Sequence, residues 1–148
     1  MGGIVEKAYL RIRQDELYRR KLKLKKINID SITEDITKDC WNYNIQYEIF
    51  LKTSNLLIIK LIGTERTILF KYHKKDRVLL RDYREFLNRL DICKVERGIY
   101  ITTGVFEENI NKDEKGIFSK RVKKVDGIKL IKRQLKFNKL SFLEYLPQ

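Results

Sequence analysis

The chain has 148 residues, with 33 lysines and arginines against 20 aspartates and glutamates, a formal charge of +13 at pH 7. Hydrophobic residues make up 43%, enough for a core and too many for a wholly disordered chain, and the length fits one domain with a short extension. No apolar run approaches the roughly 20 residues of a membrane span, two isolated cysteines make no disulfide framework, and with a single histidine they cannot build a tetrahedral zinc site.

The opening Met-Gly-Gly-Ile-Val-Glu-Lys lacks the apolar stretch of a secretory signal, so an intracellular setting without membrane attachment is expected. Part of the positive charge reflects the AT-rich codons of 21 Lys, 19 Ile and 8 Asn. The remainder still attracts polyanions.

In chain order, Ile4, Val5, Ala8 and Ile12 share one helical face, which predicts a helix over 4–18. Residues 19–27 read either as a strand or as a continuing basic helix. Ser31-Ile-Thr-Glu34 matches a capping box and predicts a short helix ending near Cys40. From Tyr43 to Leu51 apolar and polar residues alternate, with Glu48 on the polar side, which predicts a half-buried strand. Thr53-Ser-Asn55 is a turn, Leu56–Ile62 a buried strand, Gly63–Arg66 a turn and Thr67–His73 a third strand, together an antiparallel meander. Residues 78–90 carry the spacing of an amphipathic helix, a crossover that makes the strand at Gly98–Gly104 parallel to the third. A short helix or loop over 105–111 and a short strand over 121–125 follow. The last helix, 128–137, is expected to face inward through Ile128, Ile131 and Leu135. The apolar tail, with Leu, Phe and Tyr between 140 and 146, is expected to dock.

The layout is mixed α/β: an antiparallel meander, then parallel crossover strands, flanked by helices. Residues 1–42 form a basic helical extension packed on the domain, 43–137 the domain, and 138–148 a docking tail. Cys40 and Cys93 read as packing residues, His73 as a surface histidine at a strand end, and Trp41 and Tyr43 as core or domain-edge packing with base stacking as the alternative.

The stretch Gly98-Ile-Tyr-Ile-Thr-Thr-Gly104-Val-Phe106 resembles the glycine-framed Ile-Thr-Thr strand of Mrr-type restriction endonucleases, and Lys124-Val-Asp-Gly-Ile-Lys-Leu130 is similar to the Asp-Gly that opens their final helix. The resemblance covers about residues 43–137 and implies the restriction-endonuclease-like fold of the PD-(D/E)xK superfamily. It also implies magnesium-dependent phosphodiester cleavage, with an Asp at a strand end and an acidic residue or Gln two positions before a catalytic Lys. Lys71 matches that lysine, but the position two before it is Leu69, and the only carboxylates between Asp39 and Asp76 are Glu48 and Glu65. The motif therefore reads as degenerate, with no cofactor expected. Magnesium enters only if Glu48 and Lys71, with or without Glu65, form a migrated site.

Three basic clusters stand out: Arg19, Arg20, Lys21, Lys23, Lys25 and Lys26; then Lys71, Lys74, Lys75 and Arg77; then Lys120, Arg121, Lys123 and Lys124. No base-reading motif accompanies them, so DNA or RNA binding without sequence preference is expected. The leading expectation is an inactive nuclease-like domain that binds nucleic acid or acts as a scaffold. The alternative is a small subunit of a larger protein complex. The jaw domain of the fifth RNA polymerase subunit of eukaryotes and their large viruses has a similar inactive layout. An active nuclease with a migrated acid is the third.

Overall fold

The computed structural model describes residues 3–113, 121–137 and 141–147. Residues 19–27, open between strand and helix in the sequence, continue the first helix, α1 (Gly3–Lys26). Leucine, lysine and arginine all favour helix, and Leu24 anchors the last turns in the core. The helix breaks at Ile27, and the Asn28 side chain accepts a 2.7 Å bond from the Ser31 amide to open α2 (Ile29–Asn42). The cap is thus Asn28, three residues before the serine the capping-box pattern picks out. α2 buries Ile29, Ile32, Ile36 and Cys40 along one stripe.

The central sheet holds β1 (Gln46–Lys52), β2 (Leu56–Ile62), β3 (Thr67–His73), β5 (Arg97–Thr102) and β7 (Val122–Val125), in the order β1-β2-β3-β5-β7. The first three pair antiparallel, and β3–β5 and β5–β7 pair parallel. The fold class is therefore mixed α/β with a meander running into crossover strands. Between β3 and β5 lie β4 (Arg77–Val78) and the crossover helix α3 (Leu80–Ile92). After β5 come β6 (Val105–Phe106), which pairs with β4, and α4 (Glu108–Asp113). The last helix is α5 (Gly127–Phe137), against which α1 packs.

Alternation along β3 divides the molecule. Ile68, Phe70 and Tyr72 join α2, α5 and the C-terminal segment in one core. Leu69 joins Tyr83, Phe86 and Leu90 of α3 in the other. Lys71 and His73 share that second face, because side chains two apart point the same way. The tail docks on the first core: Phe142, Tyr145 and Leu146 are buried, and the Phe142 ring meets those of Phe70 and Tyr72 edge-on at 5.9 and 5.7 Å.

Two expected faces differ. β1 is an edge strand whose Tyr47, Ile49 and Leu51 are all exposed. A bulge between Ile49 and Leu51 puts these two on opposite faces, since Ile49 pairs with Ile59 but Leu51 with Ile58. In α5 the inward stripe is Gly127, Leu130 and Ile131, and Ile128 is exposed. The helix starts one residue earlier than the pattern suggested, with Asp126 Oδ1 accepting from the Lys129 amide at 2.8 Å. The side chain of Leu135 lies outside the described set. Among the described residues no helix is long and apolar enough to cross a membrane.

Candidate functional site

β3 carries Lys71 into the space between sheet and α3, where it is only 4% exposed. Its ammonium stands over the Tyr100 ring of β5, 4.6 Å from the centroid. Burial lowers its pKa from 10.5 to about 8; Asp82 and Glu85 push the other way, and Arg89 and Lys75 reinforce the drop. The expected surface cluster from Lys71 to Arg77 is thus divided. Lys74, Lys75 and Arg77 lie beyond the strand end, and Lys71 is inside.

His73 is half-buried rather than a surface residue, and its Nδ1 shares a 2.7 Å hydrogen bond with the Tyr100 hydroxyl. Its pKa falls to about 4, first through burial and then through Lys71, with Asp82 opposing and Lys75 adding. The neighbouring lysines are the smaller effect. Burial pushes the Tyr100 phenol well above its ordinary value.

The acidic groups at this end of α3 are engaged in capping. Asp82 Oδ2 accepts from Lys75 Nζ at 2.6 Å and from the Leu79 amide at 2.9 Å. Glu107 Oε2 accepts from the Leu80 amide at 3.0 Å. Two of the orphan N–H groups of α3 are satisfied in this way. Burial pushes the Asp82 carboxyl up, but the Lys75 and Leu79 bonds and the nearby cations outweigh it and hold it below its usual range.

These residues do not fit a magnesium ion. Leu69 is fully buried against α3, and Ile58, opposite Lys71 in register, is buried as well. Glu48 is exposed on the edge strand opposite Lys60, which pairs in turn with Leu69. It lies two strands and two register positions from Lys71, about 10 Å across the strands alone. Glu65 is exposed in the β2–β3 turn. Among the described residues no group of three or more His, Cys, Asp and Glu could hold a metal.

The cations gather elsewhere. Arg66 precedes β3, Arg97 opens β5 and Arg121 precedes β7, so the parallel strands bring all three to one end of the sheet. With Lys123 and Glu144 they line a hollow of about 210 Å³. It shares Lys123 and Tyr145 with a second hollow of about 740 Å³, lined also by Lys124, Lys129, Lys132 and Arg133. The two share residues and run on as one groove, in which the described residues place eight cations and one carboxylate along edge strand β7 and α5. Arg121 is pinned by Asp91 Oδ1 at 2.8 Å and by the carbonyls of Glu96 and Val95. Arg133 pairs with Glu144 at 3.5 Å, and Lys123 stands 5.2 Å from the Tyr145 ring centroid. Arg66, Arg97, Lys129 and Lys132 are exposed.

The sequence clusters supply only Arg121, Lys123 and Lys124 to this groove, and Lys120 lies outside the described residues. Arg66 and Arg97 are scattered along the chain, and only the strand order signals their meeting, whereas Lys129, Lys132 and Arg133 stand together on α5 at i, i+3, i+4 spacing. At the opposite ends of β3 and β5, Lys25 from α1 joins Lys74, Lys75, Asn55, Asp76 and Thr103 around a hollow of about 230 Å³. Lys25 is paired there with Asp76 at 3.1 Å. The other cations of the first cluster, Arg19, Arg20, Lys21, Lys23 and Lys26, lie on the last turns of α1, with Arg20 paired to Glu16. Trp41 and Tyr43 do not pack inside: Trp41 is 85% exposed. Cys40 is buried in the core, and Cys93 is half-buried. No protein-family model and no curated protein matches the chain.

Proposed function

We propose that this protein is a nuclease-like domain that does not cleave and that binds DNA or RNA through its cationic groove without reading sequence. The observation that carries this reading is the groove along β7 and α5, with eight cations around one carboxylate. Backbone phosphates are the ligand such a surface favours, and no element beside it presents a base-reading pattern. Support for the absence of cleavage comes from Leu69 and Ile58, apolar where a nuclease of this fold needs metal ligands beside Lys71.

A second reading, a small subunit of a nucleic-acid machine, is favoured by the bare edge of the sheet. There β1 exposes Tyr47 and Ile49, and Trp41 and Tyr43 stand exposed at the end of α2. The test is fluorescence anisotropy with duplex DNA and single-stranded RNA at several salt concentrations in Mg²⁺, followed by a denaturing gel. Affinity that falls by orders of magnitude from low to physiological salt, with uncut probe, is the expected result. No binding at low salt would overturn the proposal and turn attention to the β1 edge. Cleavage abolished by Lys71→Ala would establish a migrated active site instead.

A further inference from the structure

A cleft of about 300 Å³ lies between the meander and the C-terminal half of α3, and it shares no lining residue with the cationic groove. Its lining is mixed: Leu51, Ile58, Phe86 and Ile92 give it an apolar side, and Asn88 adds a polar group. Its charged groups are Lys71, Arg89 and Glu85. Lys71 is more than nine-tenths buried, yet lines this space. An ammonium carries three donors. The contact described for this one is the face of Tyr100, and among the described residues no hydrogen bond or ion pair reaches it. The side chain is buried, but its nitrogen reaches the cleft, and the donors left over there suit an anionic partner. Asp82 does not serve, since Lys75 and the α3 terminus already hold it.

We propose that the cleft binds a small amphipathic monoanion, a carboxylate with an apolar body. Its head pairs with Lys71 and Arg89, and its body lies on Ile58, Phe86 and Ile92. The volume is at the small end of ligand pockets, and apolar walls with a few polar groups are typical of them. Glu85 leaves the three charged groups with a net charge of +1, which suits one negative charge and disfavours phosphate dianions. The site is independent of the groove, so loss of nucleic-acid binding would leave it intact.

The test uses the full chain at pH 7 with octanoate, octanol and inorganic phosphate, followed by backbone amide shifts and calorimetry. Octanoate is expected to bind and to shift the amides of Ile58, Phe86 and Ile92. Octanol, with the same tail and no charge, should bind at least about tenfold more weakly, the size of one charge-assisted hydrogen bond. Lys71→Met should bring octanoate down to the affinity of octanol. Leu51→Glu, at the exposed rim, should weaken octanoate without touching the buried positions, and it keeps the test available if the first variant folds poorly. Equal binding of octanoate and octanol, or no octanoate binding, would overturn the proposal. So would displacement of octanoate by phosphate or by an oligonucleotide, since the cleft would then be part of a phosphate-binding surface.

Discussion

At neutral pH the Lys71 ammonium is held charged in a place that disfavours charge. Its pKa is about 8 in the folded chain and 10.5 when solvated. The folded state therefore binds fewer protons than the unfolded state between these values, and this residue's contribution to stability improves as pH rises through that window. Below pH 8 the penalty is complete, on the order of 3 kcal/mol. Lys71→Met should raise stability by about 2–3 kcal/mol at pH 7, with the gain fading towards pH 10.5, as read by urea melts of both proteins. His73 has the opposite pH range: its folded pKa is about 4 against 6.5 unfolded. The unfolded chain gains that proton first, so stability present above pH 6.5 is lost as pH falls towards 4. An NMR titration of the imidazole should show no protonation above about pH 5. Tyr72 offers a simpler case. Its hydroxyl is buried without a hydrogen-bond partner among the described residues, so Tyr72→Phe should raise stability by about 1 kcal/mol in thermal melts.

Among the elements, the junction of β5 and α5 is tightly constrained. A Cβ on Gly127 would sit 2.3 Å from the Thr103 carbonyl oxygen, and one on Gly104 2.1 Å from that of Asp76. The Gly127 amide donates to the Gly104 carbonyl at 2.9 Å. The Asp-Gly pair thus serves two ends: aspartate caps α5, and glycine lets its first turn touch the end of β5. Asp126→Ala should cost about 1 kcal/mol, measured by chemical denaturation. This junction was legible in the sequence, as were the meander, α3 and the parallel β5, because each rests on local turn chemistry or clear periodicity. The cap of α2 was misplaced by three residues, since Asn28, Asp30 and Ser31 stand close together, and the start of α5 by one. The exposure of β1 was hidden because alternation gives the two faces of a strand but not whether anything covers them. The bulge at Phe50 then breaks the alternation itself.

At the scale of the molecule, charge is organised by topology. Parallel strands start at one end of the sheet, so residues before β3, β5 and β7 become neighbours although about 25 to 30 positions separate them. Runs of lysine are visible in a sequence, but this kind of gathering is not. For the same reason Lys71 could be placed on its strand while its burial and its cleft could not. If the groove tracks phosphates, Lys129→Glu with Lys132→Glu should weaken nucleic-acid binding and lower the logarithmic salt slope by about 2, one for each lost contact. The same exchange at Arg19 and Lys23, on the outer side of α1, should change the slope less.

The docked tail has a consequence for how the chain reaches this state. Phe142 supplies the ring that closes over Phe70 and Tyr72, and Leu146 completes the same core. The meander needs only neighbouring residues and can form early in synthesis. Its α2-facing side then waits for residues 142–146, exposing aromatic surface while it does. A ribosome that stalls before residue 142 would hold a chain with its meander paired and one core open, the kind of intermediate that holdase chaperones capture.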